Sequence, residues 1–256
     1  MPKKVIAGNW KMYKSEEEAV AYIDALLTLL PELAHPQEIG VEVYIFPSFL
    51  HLPALVARTQ GTAIRIGAQD CYTKPEGAFT GEVSPAQLKD AKASAVLVGH
   101  SERRHIIGED NVLVAEKLKA VVQAGLTAFL CVGETKDERK EGLAYSVVED
   151  QLMLPLLNSD EISPENLVIA YEPVWAIGTG DNAEPRDADK MADFIREWLV
   201  QHLPRGVGEE ISILYGGSVK PGLLRGYLES GKLQGALVGG ASLDAPSFAA
   251  LFKEML

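Results

Sequence analysis

Eight short apolar segments, each followed by a longer amphipathic segment, run from one end of the chain to the other. The strand candidates are 4–10, 41–46, 63–68, 95–98, 127–131, 167–171, 211–215 and 236–238. Helix candidates follow them, for example 15–30, 110–124, 143–157, 187–203 and 244–256. This alternation is typical of an α/β protein with a parallel sheet. Eight such units in 256 residues, without a linker, predict a single (β/α)8 barrel over 1–256, with a doubly wound sheet as the alternative.

Composition and net charge indicate which kinds of binding partner and which cellular compartment to expect. The net charge of −12 argues against nucleic acid and against an anionic membrane surface, because both require a basic face. The chain has no apolar run near the roughly 18 residues of a membrane span, and the apolar stretch 5–7 is too short for a secretion signal. Cys71 and Cys131 form no Cys-x-x-Cys pair, so a redox motif or a structural zinc site has no support. We therefore expect a cytoplasmic protein with reduced thiols.

One carboxylate stands at the end of a predicted buried strand. Segment 167–171 is apolar throughout, and Glu172 follows it directly, before Pro173. A carboxylate removed from water has a raised proton affinity, which is the usual route to a general base near neutral pH. The alternative for Glu172 is a solvated glutamate at a strand end.

Two further polar residues follow the first and the fourth strand. Lys11 supplies a positive charge at the expected rim of the barrel, unless it is an ordinary surface lysine. His100 leads into a helical turn, whose positive dipole end disfavours imidazolium, so we expect a neutral imidazole that donates a hydrogen bond. The alternative for His100 is a hydrogen-bonded histidine of the core.

Glycine pairs follow the seventh and eighth strands, at Gly216-Gly217 and Gly239-Gly240. Such pairs let backbone N–H groups converge on an anion, and a short helix after the second pair would direct its N-terminus there. Segment 178–183 also matches a loose dinucleotide fingerprint, but it does not open directly from a strand into a helix. We interpret 176–180 instead as a mobile lid, with an ordinary long loop as the alternative.

Taken in order, the motifs at these strand ends closely resemble those of the triosephosphate isomerase family. They are Gly-Asn-Trp-Lys-Met (8–12), Gly-Ala-Phe-Thr-Gly-Glu-Val-Ser (77–84), Gly-His-Ser-Glu-Arg-Arg (99–104), Ala-Tyr-Glu-Pro-Val-Trp-Ala-Ile-Gly-Thr-Gly (170–180), Tyr-Gly-Gly-Ser-Val (215–219) and Ala-Leu-Val-Gly-Gly-Ala-Ser-Leu (236–243). The resemblance covers essentially the full length and implies a TIM barrel. It also implies interconversion of dihydroxyacetone phosphate and D-glyceraldehyde 3-phosphate through an enediolate, without metal or cofactor.

The resemblance implies a role for each site residue. Glu172 would be the base, His100 a neutral electrophile, and Lys11, beside Asn9, the cation that stabilises negative charge. The pairing of a glutamate base with a neutral histidine is the family's own known pattern. The phosphate would be bound by four residues, which are Gly178, Ser218, Gly239 and Gly240. Glu102 matches a family position of less settled role, and the alternative for it is stabilisation of a helix N-terminus.

The resemblance also implies a homodimer. Segment 77–84 is similar to the family's protruding loop, whose tip enters a neighbouring subunit near Asn9 and Lys11, and Thr80 would be the tip. Two departures from the family pattern are visible. Asp181-Asn182-Ala183 replaces a Lys-Thr-Ala-like hinge, and Asp70 stands where Asn is usual. No catalytic group is missing, so a catalytically silent phosphate-binding barrel that serves as an interaction protein is the second hypothesis.

Overall fold

Eight parallel strands form the centre of the computed structural model, which describes residues 1–35, 39–157, 159, 161–177 and 183–256. In chain order the strands are β1 (Lys4–Asn9), β2 (Val41–Phe46), β3 (Ile64–Ala68), β4 (Ala95–Val98), β5 (Thr127–Val132), β6 (Leu167–Tyr171), β7 (Ser212–Tyr215) and β8 (Gly235–Val238). Each strand pairs with the next, and β1 pairs with β8, which closes the sheet. The predicted (β/α)8 barrel is therefore confirmed, and closure excludes the doubly wound alternative.

Helices surround the barrel and connect successive strands. They are α1 (Glu16–Leu29), α2 (Leu52–Thr59), α3 (Pro85–Asp90), α4 (Asn111–Gln123), α5 (Lys136–Lys140), α6 (Ala144–Leu157), α7 (Pro185–His202), α8 (Val207–Glu210), α9 (Leu224–Leu228) and α10 (Ala245–Met255). Short 3-10 turns at Val174–Ala176 and Gly240–Leu243 follow β6 and β8. No helix in these described ranges is long and apolar enough to cross a membrane.

The predicted elements all form, and their ends differ by one or two residues. Three predicted helices included their capping residues: the side chains of Ser15, Asp110 and Asp244 each accept an N–H of the first turn. Ser15 and Glu18 form a complete capping box, so the chain cannot extend the helix backwards without losing both hydrogen bonds. The predicted helix 187–203 begins earlier, at Pro185, because proline fits the first helical turn.

Side chains alternate along each strand between two apolar cores. In β1, Val5 and Ala7 face the barrel interior, whereas Ile6 packs against the surrounding helices. The interior is filled by packed rings, with Phe46 and Phe129 at 5.0 Å between centroids. The interior therefore has no open channel, and chemistry is confined to the carboxyl ends of the strands, where the connecting loops begin.

Candidate active site

A cavity of about 760 Å³ opens at the carboxyl ends of the strands. It is lined by residues from the loops after β1, β4, β6, β7 and β8. Seven of the predicted site residues line it, namely Asn9, Lys11, His100, Glu172, Ser218, Gly239 and Gly240. Gly178, which was also predicted to contact the phosphate, lies outside the described residues. The structure thus brings together residues that are up to 231 positions apart, from Asn9 to Gly240.

Glu172 and His100 are in direct contact at the floor of this cavity. The imidazole Nε2 lies 2.9 Å from Glu172 Oε1, and both side chains are buried, with 6% of His100 and 2% of Glu172 exposed. The second carboxylate oxygen, Oε2, accepts the backbone N–H of Ser101 at 2.9 Å. Glu172 is therefore a buried, hydrogen-bonded carboxylate, and the solvated strand-end alternative is wrong.

The predicted upward shift of the Glu172 pKa is also wrong. Burial raises the pKa, as expected, but three groups acting on the ionised form lower it by more, so the net direction is downward. These groups are His100, the Ser101 N–H and Lys11. Burial at a strand end can be predicted from the residues next to Glu172, whereas the opposing groups follow other strands.

The hydrogen bonds of His100 support a neutral ring. Its Nδ1 accepts the backbone N–H of Glu102 at 3.2 Å, so the proton of the neutral ring is on Nε2, from where it is donated to Glu172. This is the tautomer that a carbonyl-polarising histidine requires. Burial lowers the pKa of His100 while the Glu172 carboxylate raises it, and the net direction is upward. The upward direction depends on Glu172 remaining beside the ring.

Lys11 is held in place through its backbone. It adopts a left-handed conformation, with φ of 50°, which is uncommon for a residue with a side chain. Its N–H donates to Asn9 Oδ1 at 3.0 Å, and its carbonyl accepts Gln69 Nε2 at 2.7 Å. The ammonium forms an ion pair with Glu102. The Glu102 side chain makes no capping hydrogen bond at the following helical turn, and it lies 3.7 Å from His100 Nδ1 as well as against Lys11.

The two glycine pairs do different things. Gly239 precedes the 3-10 turn Gly240–Leu243 and Gly240 begins it, close to where a short helix was predicted, and both line the cavity. At Gly216, however, the N–H already donates to Tyr171 O at 2.7 Å. A Cβ on Gly216 would lie 2.7 Å from Glu172 Cγ, and a Cβ on Gly217 would lie 2.2 Å from Tyr215 Oη. Positions 216 and 217 are therefore glycine because neighbouring side chains leave no room for a Cβ atom.

A second buried carboxylate, that of Glu134, was not predicted from the sequence. Glu134, fully buried after β5, accepts hydrogen bonds from Tyr171 Oη at 3.1 Å and Trp175 Nε1 at 2.9 Å, and it pairs with Arg139 at 3.2 Å. These contacts fix the backbone on both sides of Glu172. A similar signal to the one that singled out Glu172, an acidic residue close to a strand end, was present at Glu134, two residues after the end of β5.

Asp70, which departs from the family pattern, belongs to a group of four charged side chains, of which three are buried and Arg103 is partly exposed. Lys117 Nζ contacts Asp70 Oδ1 at 2.7 Å and Glu109 Oε1 at 2.5 Å. Arg103 contacts the same two carboxylates at 2.9 and 2.6 Å. Burial raises the pKa of Asp70 to about 6, although Lys117 opposes this. The group joins the chain directly after β3, where Gln69 and Asp70 lie, to the segment that carries His100 and Glu102.

The predicted lid is only partly within the described structure. Ala176 is buried in the 3-10 turn Val174–Ala176, whereas Gly178, Thr179 and Gly180 lie outside the described residues, so the lid stays a prediction. Of residues 181–183, where the sequence departs from the family pattern, only Ala183 lies within the described residues.

A closed parallel barrel with a carboxylate and an imidazole in contact at its carboxyl end is the architecture of a barrel enzyme that transfers protons between positions of a bound substrate. Comparison with known proteins specifies the family. The model of the triosephosphate isomerase family matches residues 4–255. The chain belongs to the triosephosphate isomerase family.

Individual relatives are similar over nearly their whole length. Triosephosphate isomerase of Carboxydothermus hydrogenoformans is 45% identical over 253 residues, which are 99% of both chains. Triosephosphate isomerase of Syntrophotalea carbinolica is 43% identical over 253 residues, 99% of this chain and 98% of the other. Triosephosphate isomerase of a Roseiflexus species is 45% identical over 248 residues, 97% and 96% of the two chains.

Proposed function

We propose that this chain is a triosephosphate isomerase, which interconverts dihydroxyacetone phosphate and D-glyceraldehyde 3-phosphate within glycolysis and gluconeogenesis. Residues 1–256 would act as a single catalytic domain. The observation that supports this best is the 2.9 Å contact between His100 Nε2 and Glu172 Oε1, in a cavity that Lys11 also lines. A base, a hydrogen-bond donor and a cation are the groups that proton transfer beside a carbonyl requires.

In this proposal Glu172 removes a proton from one substrate carbon and returns it to the other. His100 donates its Nε2–H to the carbonyl oxygen, and Lys11 stabilises the negative charge that develops on the enediolate. Because Nε2 contacts Glu172 in the structure, a carbonyl that accepts from Nε2 takes the place of that carboxylate oxygen. Glu172 then turns toward the substrate carbon.

This exchange of hydrogen-bond partners raises the proton affinity of Glu172 at the step in which Glu172 accepts the substrate proton. On leaving His100 and the Ser101 N–H, the carboxylate loses contacts that lower its pKa. Burial, which raises the pKa, remains. The downward direction in the structure and the proposed role as base are thus consistent, since they belong to two positions of the same side chain.

The phosphate end of the substrate would be bound by Ser218, Gly239 and Gly240, with Gly178 as an additional contact. Support comes from the shared cavity and from the 3-10 turn that begins at Gly240, whose first N–H groups lack partners within the turn. Lys220 lines the same cavity and is exposed. Backbone donors and a local lysine can bind a dianion despite the overall charge of −12.

A coupled assay with glyceraldehyde 3-phosphate tests the proposal directly. We expect turnover by the wild type, and we expect Glu172→Asp to lower kcat by about 100-fold or more, because the carboxylate is withdrawn by roughly one carbon–carbon bond while the fold is kept. Circular dichroism would check that the fold is kept. Full activity of Glu172→Asp would refute the assignment of the base. No turnover by the folded wild type would instead favour the catalytically silent phosphate-binding barrel.

We also propose that the chain acts as a homodimer through segment 77–84. Phe79 packs on Tyr72, with ring centroids 4.5 Å apart, yet remains 39% exposed. A second cavity of about 320 Å³ adjoins the first at Lys11 and has a mixed lining, in which the apolar side chains of Met12 and Ile106 are 94% and 76% exposed beside polar ones such as Glu102. A projecting aromatic loop and a cavity with exposed apolar side chains are complementary features of a symmetric interface.

The dimer is tested at Thr80, the expected tip. Thr80→Arg would place a bulky charged side chain in this cavity of the partner, so we expect dissociation and reduced activity together. Sedimentation measures the mass and the coupled assay measures activity. A wild type that sediments as a monomer would show that the loop has another role.

We propose the cytoplasm as the place of action. Cys71 and Cys131 are free, buried thiols, which are typical of a reducing compartment. Fractionation of the source cells, followed by isomerase assay of each fraction, tests this.

A further inference from the structure

Tyr227 of α9 is buried behind the active site and makes two specific contacts. Its ring stacks on that of Tyr215, with centroids 4.2 Å apart and planes 15° apart. Its hydroxyl donates to the carbonyl of Ala183 at 2.6 Å. Tyr227 is 4% exposed and Ala183 is 1% exposed, so this hydrogen bond is shielded from water.

The first contact supports the turn after β7. Tyr215 is the last residue of β7, and its hydroxyl lies so close to Gly217 that a Cβ there would be 2.2 Å away. Ser218, which lines the substrate cavity, follows directly. The stacked ring of Tyr227 therefore limits where Tyr215, and with it the turn from Gly216 to Ser218, can lie.

The second contact ties the chain after β6 to the same region. Ala176 O accepts the N–H of Ser218 at 3.2 Å, and Ala183 O accepts the hydroxyl of Tyr227. Ala176 and Ala183 are the buried residues on either side of positions 177–182, which include Gly178. Both of their carbonyl groups are thus bonded to the chain that follows β7.

From these contacts we propose that Tyr227 is a positioning residue for the phosphate end of the substrate, acting through Ala183 on one side and through Tyr215 and Ser218 on the other. The inference rests on the function proposed above and assigns no catalytic role to Tyr227. Within the described part of the chain, neither Tyr227 nor Tyr215 lines the cavity, so any effect on binding must pass through the residues they contact.

Tyr227→Phe tests the hydroxyl alone, because it keeps the stacked ring. Loss of one buried hydrogen bond leaves Ala183 O without its donor, and the order of 1 kcal/mol that this costs corresponds to about 5-fold in an equilibrium constant. We expect KM for glyceraldehyde 3-phosphate and the inhibition constant of inorganic phosphate to rise together by about 5-fold, with kcat within about 2-fold. Tyr227→Leu, which also removes the ring, should raise both constants further.

Tyr145→Phe is the matched control. Tyr145 of α6 packs on Phe194 at 5.0 Å between centroids and is 45% exposed, away from the cavity, so its variant should match the wild type in every constant. Thermal unfolding of all variants separates positioning from folding. If Tyr227→Leu fails to fold, Tyr227→Phe decides alone.

Two results would overturn the proposal. One is a Tyr227→Phe enzyme with the KM and phosphate inhibition constant of the wild type. The other is a fall in unfolding temperature with both constants unchanged, since that would show a purely structural role. A wild type without turnover would be a failure of the proposed function instead, and phosphate binding measured by calorimetry would still test Tyr227 in that case.

Discussion

A single methyl group at position 216 should displace the proposed base. A Cβ on Gly216 would lie 2.7 Å from Glu172 Cγ and 3.0 Å from Tyr171 O. Tyr171 O cannot move, because it belongs to β6 and accepts the N–H of Gly216 itself at 2.7 Å. Since carbon atoms pack at about 3.5 to 4.0 Å, Glu172 Cγ must shift by about 1 Å.

That shift is large relative to the geometry it disturbs. Glu172 is held by contacts of 2.9 Å to both His100 Nε2 and the Ser101 N–H, and a displacement of about 1 Å breaks at least one of them. A misplacement of this size can cost about 100-fold in rate. We therefore expect Gly216→Ala to lower kcat by about 10- to 100-fold, or about 1.4 to 2.7 kcal/mol in the barrier. The accompanying loss of stability should be about 1 to 3 kcal/mol, as for other overpacked sites.

Gly226→Ala provides the control in the same part of the chain. Its added Cβ would meet only Pro185 Cγ, at 4.0 Å, and it lies within α9. We expect wild-type kcat and a gain of about 0.5 to 1 kcal/mol from helix propensity. Steady-state isomerisation and urea unfolding of both variants test this. If Gly216→Ala retained the wild-type kcat, Gly216 would not be the residue that determines where Glu172 lies.

Two further predictions concern buried carboxylates. Asp70→Asn should remove a pH dependence of stability, because burial raises the pKa of Asp70 to about 6 against an ordinary value of 3.8, so that ionisation of Asp70 costs the wild type stability as the pH rises from about 4 to about 6. In urea titrations the stability of the variant relative to the wild type should therefore rise between pH 4 and pH 7; an unchanged difference would show that Lys117 and Arg103 offset the cost of burial. Glu134→Gln should lower the free energy of unfolding by about 2 to 4 kcal/mol, since the glutamine amide cannot accept hydrogen bonds from Tyr171, Trp175 and Arg139 at once. Unchanged midpoints of urea unfolding would mean that these donors find other partners.

The sequence predicted the barrel because its signal is local. Buried parallel strands such as Leu167–Tyr171 require apolar, β-branched runs, and helices such as Glu16–Leu29 require capping residues, so each element is visible in its own residues. Closure into a barrel then places every strand end at one rim. For that reason Glu172, His100 and Lys11 could be predicted as neighbours from their positions after strands.

Tertiary structure alone decided the pKa of each buried group and the space around it, because both depend on which other groups lie within a few ångströms. The pKa of Glu172 is lowered rather than raised because the Ser101 N–H and His100, from another strand end, outweigh burial. Gly216 is glycine because Glu172 lies against it, and Asp70 is compatible with burial because Lys117 lies 2.7 Å away. Charge and contact act through space over a few ångströms, and the order of residues along the chain does not contain these distances. The sequence thus determined which groups stand at the strand ends, and the packing determined their protonation and their room to move.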